Sequence, residues 1–187
     1  MKMSKFGYFS EFLLFPPLIV AATLLAFHKS PSPRPIEWLF VFALGIVAWT
    51  LVEYFLHRVL FHHAPILSII HERHHDEPRE LIGTPAWLSA LVGLFAVAGP
   101  AWAIVGLGLD TAAMGGLVTG YLGYVFVHYA SHHWQPRRGS YLYQARLRHA
   151  RHHHMSHAGN FGVTTSLWDR VFGTFLENRI TRTTAID

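Results

Sequence analysis

An all-α integral membrane protein, four spans paired as two hairpins, is the fold class predicted by three features of the sequence. Hydrophobic residues make up 51% of the 187 residues and charged residues 14%, a balance that excludes a disordered or heavily charged chain. Four stretches approach the roughly 20 apolar residues that a bilayer-crossing helix needs: Phe12–Phe27, Trp38–Leu56, Ala86–Leu109 and Ala112–Val127, the last continuing as helix to residue 130. Only Asp110 and Thr111 separate the third from the fourth, the spacing of a tight hairpin. The length fits a single domain over residues 1–187.

Each span carries its own signature. Pro16–Pro17 is expected to kink or shorten the first, and Gly99–Pro100 to bend the third. The Pro-rich stretch Ser30–Pro35 turns the chain between the first two. Lys2 and Lys5 precede the first apolar run as in a signal peptide, but no small-x-small cleavage site follows Phe27, so the run is expected to stay as an anchor. With four spans, thirteen of the fifteen Lys and Arg residues fall on the side of the N-terminus, the Leu56–Pro85 loop and the chain after Val127. The positive-inside rule places that side, with both termini, in the cytoplasm. If the protein is bacterial, the bilayer is the cytoplasmic membrane. The pI near 9.6 then reflects topology and contact with anionic lipid, and no nucleic-acid partner is expected.

Cysteine is absent, which removes disulfides, zinc–thiolate sites and thiol nucleophiles together. Histidine replaces it in abundance: fifteen residues, fourteen of them on the expected cytoplasmic side. They are grouped. His57 and His62 follow the second span; His71, His74 and His75 form H-x-x-H-H; His128 and His132 leave the fourth span; His149, His152 and His153 form a second H-x-x-H-H. Positions i, i+3 and i+4 share a helix face, so each H-x-x-H-H is expected to aim three imidazoles at one point. His57 and His62 stand about 140° apart on an α-helical wheel, so one of them should project from a frayed helix end. His28 is an interfacial residue, and His63, His133, His154 and His157 flank the groups without an assigned role.

Ten imidazoles exceed what one cation can take. Two metals with four to six ligands each fit the count, and imidazole suits iron, zinc, copper or nickel. A redox role favours iron. Glu53, one helical turn before His57, is placed to orient that ring, and Glu72, Asp76 and Asp169 are further carboxylates for steering ligands or balancing charge.

The sequence text around these groups resembles the fatty acid hydroxylase/sterol desaturase superfamily of membrane di-metal oxygenases. The resemblance lies in EYFLHRVLF (Glu53–Phe61), HERHH (His71–His75) and the run Gly120–Phe175, with GYLGYVFVHY, GSYLYQARLRHARHH and NFGVTTSLWDRVFGTF. The order of histidine spacings and the GSYLY segment are most similar to the fatty acid 2-hydroxylase branch, without its haem domain. The resemblance implies a cytosolic helical cap holding a di-metal site, and carries ten ligand roles onto His57, His62, His71, His74, His75, His128, His132, His149, His152 and His153. It implies two iron ions, with zinc an alternative occupant in purified protein, and dioxygen as co-substrate. A separate cytochrome- or ferredoxin-type protein would donate electrons. The implied reaction is hydroxylation, at carbon 2, of the acyl chain of a fatty acid or membrane lipid. Phe61, Trp134, Tyr141, Tyr143 and Trp168 are candidates to line the acyl cleft. The alternatives are a sterol- or carotenoid-type hydroxylase or desaturase of the same superfamily and, lower, a metal-binding or metal-transport membrane protein.

Overall fold

The computed structural model of the protein describes residues 2–28, 32–83, 107–154 and 159–177. Six α-helices and one π-helical segment account for the regular structure there: α1 (Lys5–His28), α2 (Pro35–Phe55), the π segment Leu56–Phe61, α3 (Pro65–Asp76), α4 (Leu107–His133), α5 (Tyr141–His154) and α6 (Leu167–Val171). Among the described residues there is no strand, only an isolated bridge between Lys2 and Ile82.

Among the described residues two helices, Lys5–His28 and the continuous Pro35–Phe61, are long and apolar enough to cross a membrane. Their flanks leave Leu13, Leu24, Ile36, Leu39 and Phe40 more than half exposed. A soluble chain would bury such stripes; here they require the cover of lipid, and the protein is membrane-associated. Pro16 and Pro17 lie inside α1, which runs unbroken through both. Along its buried side Glu11, Phe15 and Ala26 are enclosed, and Tyr121 of α4 donates its O–H to Glu11 Oε2 at 2.6 Å.

The fourth expected span lies within α4, but the hairpin expected at Asp110–Thr111 does not form there. Asp110 sits in the first turn of α4 and Thr111 follows within the helix, its hydroxyl bonding back to the Gly108 carbonyl. The third expected span, Ala86–Leu109, falls almost wholly outside the described residues, as does Gly99–Pro100.

Helix α4 lies against α2 at backbone contact distance. A Cβ on Gly116 would strike the Phe42 carbonyl and sit 2.9 Å from the Gly45 Cα, while a Cβ on Gly45 would sit 2.5 Å from the Ala113 carbonyl. Small residues are what permit this approach between apolar helices. Alanine at Gly116 is therefore expected to force the helices apart, at a cost of about 1–3 kcal/mol, lowering the thermal midpoint in detergent. Alanine at Gly123, where a Cβ meets nothing within 4 Å, should leave that midpoint unchanged.

Candidate metal centre

The ends of α2, α3, α4 and α5 converge, and the ten grouped histidines meet where they do. Their ring nitrogens form two groups. His57, His62, His71, His75 and His152 make one; His74, His128, His132, His149 and His153 make the other, with the donor atoms of each within 4.8 Å of one another. The two lie side by side, for His75 of the first stacks on His153 of the second with centroids 4.1 Å apart.

Local helix geometry decides the allocation. Each H-x-x-H-H is helical, yet it does not aim at one point: His71 and His75 serve the first group and His74 the second, while His149 and His153 serve the second and His152 the first. Residues i and i+4 are only about 40° apart, whereas neighbours i+3 and i+4 diverge by about 100°. With two adjacent foci, that divergence sends consecutive histidines to different ones.

His57 and His62 reach the same group by another device. Residues 56–61 are π-helical, and closing the ring from i to i+5 brings i and i+5 onto one face. The two imidazoles stack with centroids 5.3 Å apart. The extra residue in the turn thus replaces the frayed end expected from α-helical spacing.

Tautomers follow from the hydrogen bonds. His57 Nδ1–H donates to the Phe161 carbonyl at 2.6 Å, and His152 Nδ1–H to the Gly159 carbonyl at 2.9 Å. A carbonyl only accepts, so in both rings the proton is on Nδ1 and the Nε2 lone pair points into the cluster. There Nε2 atoms face one another: His57 to His71 at 3.0 Å, His62 to His152 at 3.2 Å, His128 to His74 at 2.9 Å and His149 to His132 at 2.8 Å. Nitrogens each about 2.0–2.1 Å from a shared cation, at angles between 90° and tetrahedral, sit about 2.8–3.4 Å apart. The cluster fits two imidazole-bound cations.

Burial, reinforced by neighbouring imidazoles, pushes His71 and His153 down to about 2, and burial alone takes His74 to about 4. Neutral rings are what a metal requires. A folded value below the unfolded one, near 6.5, means the metal-free fold binds fewer protons than the unfolded chain. Stability from these rings is thus present above about pH 6.5 and lost progressively as pH falls from there, down to about 4 for His74 and about 2 for His71 and His153. Chelator-treated protein in detergent is expected to melt at lower temperature near pH 5 than near pH 7.5, and metal-loaded protein to lose its metal over the same interval.

The segment 159–164 is the back wall of the first group, a role that the resemblance of its text did not assign. Phe161 turns its ring edge to His57, His62 and His152 at 5.5–5.7 Å. Asp169, fully buried, accepts from the Phe161 and Gly162 amides at 2.8 and 2.9 Å and from the Thr174 hydroxyl. Burial pushes its carboxyl up, and those three bonds oppose the rise. Asn160, at φ +57°, takes the Leu176 amide on its side-chain oxygen at 3.0 Å. Glu53 differs from expectation. Its Oε1 accepts from the Val163 and Thr164 amides at 2.6 and 2.8 Å and its Oε2 from the Thr164 hydroxyl, while the His57 ring is oriented by the Phe161 carbonyl. Two free backbone amides within reach are better partners for a buried carboxylate than one imidazole N–H.

Glu72 and Asp76 are exposed, as are His63, His133 and His154; His157 lies outside the described residues. Among the candidate lining residues, Phe61 borders the cluster, its ring 5.5 Å from His71. Trp134 is exposed and packs edge-on against Phe126. Tyr141 donates to the Thr164 carbonyl, Tyr143 lies half-buried in the first turn of α5, and Trp168 donates to the Thr50 hydroxyl at 2.9 Å. Tyr124, not anticipated, stacks on His128 at 5.6 Å.

Residues 42–174, which contain all ten clustered histidines, match the sequence profile described as fatty acid hydroxylase. The chain belongs to the fatty acid hydroxylase family. It is 34% identical to the fatty acid 2-hydroxylase of Macaca fascicularis over 83% of this chain and 43% of that one. It is 32% identical to the dihydroceramide fatty acyl 2-hydroxylase of Arabidopsis thaliana over 72% of this chain and 60% of that one. It is also 32% identical to the ceramide very long chain fatty acid hydroxylase of Schizosaccharomyces pombe, over 92% and 52% respectively. A solved structure titled full-length scs7p, with only its hydroxylase domain visible, superposes with a TM-score of 0.79 at 25% identity, over 91% of this chain and 67% of that one. The chain spans about half the length of these curated relatives.

Proposed function

We propose that this member of the fatty acid hydroxylase family hydroxylates carbon 2 of the acyl chain of a fatty acid or membrane lipid, using two iron ions, dioxygen and electrons from a separate donor protein. The observation that carries the reading is the pair of five-imidazole groups at the end of helices apolar enough to cross a bilayer, in a chain matched over residues 42–174 by that family. All ten histidines are assigned as ligands, five to each cation. Four spans, with the cluster, α3, α5 and α6 on the cytoplasmic side, form the architecture that serves it.

Iron bound at the two groups supplies the activation of dioxygen and the removal of hydrogen from an unactivated methylene. The chain's own residues do the rest. The Phe161 and Gly159 carbonyls hold His57 and His152 with Nε2 deprotonated. Phe61, Phe161 and Tyr124 pack against the imidazoles and exclude water. A lipid-facing groove of about 430 Å³ along Leu51, Val52, Phe55, Leu56, Val59 and Leu60 brings bilayer acyl chains beside the helix that carries His57 and His62. Expression in a host without hydroxylated lipids, followed by mass spectrometry of its membranes, tests the proposal. New 2-hydroxyacyl species are expected; altered sterol or polyisoprenoid profiles with unchanged acyl chains would contradict it.

A further inference from the structure

A second concavity, also of about 430 Å³, opens on the face of α5 adjoining the metal-ligand face. Gln144, Arg148, Arg151, Ser166, Arg170, Phe175 and Glu177 line it, so three guanidinium groups face one carboxylate. Gln144, Arg148 and Arg151 recur at i, i+4 and i+7, one stripe of the helix. All three arginines have anchors: Arg148 Nη2 donates to the Val163 carbonyl at 3.3 Å, Arg151 Nη1 to the Leu176 carbonyl at 3.5 Å, and the Arg170 guanidinium lies over the Phe175 ring at 4.0 Å. Arg148 also keeps a buried Nε without a hydrogen-bond partner among the described residues. Such a donor set suits a tetrahedral oxyanion.

Its position says which oxyanion. Helix α6 separates this pocket from the lipid-facing groove. Arg170, and Ser166 at its start, line the pocket, while Phe172 at its end packs on Phe55 at 5.4 Å, and Phe55 lines the groove. Leu167, Val171 and Phe172 are 49%, 60% and 42% exposed, an apolar edge continuous with the flank of α2. A basic pocket on one side of a short helix and an acyl-sized groove on the other match the two ends of an amphiphile. We infer that the Arg148–Arg151–Arg170 pocket binds the phosphate of a membrane lipid headgroup, a site apart from the metal centre.

The test uses the full chain in uncharged detergent micelles doped with phosphatidylglycerol, with diacylglycerol of the same chains, or with inorganic phosphate. Thermal midpoint and lipid retained in native mass spectrometry are the readouts. Phosphatidylglycerol is expected to bind and raise the midpoint, and diacylglycerol to do neither. The double variant Arg151→Gln, Arg170→Gln should bind phosphatidylglycerol about tenfold or more weakly, having lost charge-assisted hydrogen bonds to phosphate, with metal content reporting an intact fold. Glu177→Gln, which removes the one negative charge, should bind it more tightly. Undiminished lipid binding in the double variant overturns the inference, and so does weaker or equal binding in Glu177→Gln. Stabilisation by inorganic phosphate matching that by the lipid would assign the pocket to the free ion. Loss of reduction by an acidic donor protein, with lipid binding intact, would assign it to that partner.

Discussion

Alanine at His74 or at His153 is expected to lower hydroxylated product more than a hundredfold and to remove about half the bound metal, because both rings belong to the same five-membered group. Changes to residues that merely support a ligand cost about 10–100-fold in affinity or activity, so loss of a ligand should exceed that. The fold should survive. In the metal-free protein these rings are buried and packed against other imidazoles, so deleting one relieves desolvation even as it leaves a cavity. Alanine at His75, in the other group, should remove the other half of the metal, and alanine at the exposed His63 should change neither quantity. Elemental analysis of protein purified in detergent, beside lipid mass spectrometry, reads both. Wild-type metal and product in either His74→Ala or His153→Ala would end the ligand assignment.

What could be read from the chain was periodic; what could not was long-range. Histidines at i, i+3 and i+4 announce a shared helix side, and an apolar run announces its need for lipid, because each depends only on residues a turn or two apart. The partition of each H-x-x-H-H between two groups is invisible from one helix, since it depends on a second focus completed by two other elements. The His57–His62 pair looked mismatched because an α-helical wheel was assumed, and no residue in Leu56–Phe61 marks that turn as π-helical, where i and i+5 share a face. Glu53 illustrates the same limit. Its place one turn before His57 pointed to that ring, but its partners are the amides of Val163 and Thr164, 110 and 111 residues away. Asp110 and Thr111 look like a turn to a reader who ends helices at polar residues; as the first turn of α4, an acidic side chain there suits the helix dipole instead.

Removing the Asp169 carboxylate should unfasten the first group without touching a ligand. In Asp169→Ala the amides of Phe161 and Gly162, both now bonded to it, are left buried and unsatisfied, each at about 1–3 kcal/mol. The thermal midpoint should fall steeply, and the Phe161 carbonyl that receives the His57 Nδ1–H should shift with its peptide, freeing that ring to turn. Metal at the first group should then become extractable by a chelator at concentrations that leave the wild type loaded. Conservative changes separate the two buried acids. Asp169→Asn must place an N–H₂ against an amide N–H, because the three groups around this carboxylate include two backbone amides on different oxygens, and it should behave almost as the alanine variant does. Glu53→Gln can keep its carbonyl on the Val163 and Thr164 amides and donate its N–H to the Thr164 hydroxyl, which now bonds Oε2, so it should cost no more than about 1 kcal/mol, whereas Glu53→Ala should resemble Asp169→Ala. A merely structural defect would lower the midpoint and release metal from both groups together. Selective release from the first, with the Asn and Gln variants falling on opposite sides, is the signature of a loop that holds His57 and His152 by their Nδ1 protons; Asp169→Ala with wild-type midpoint and metal retention would refute it.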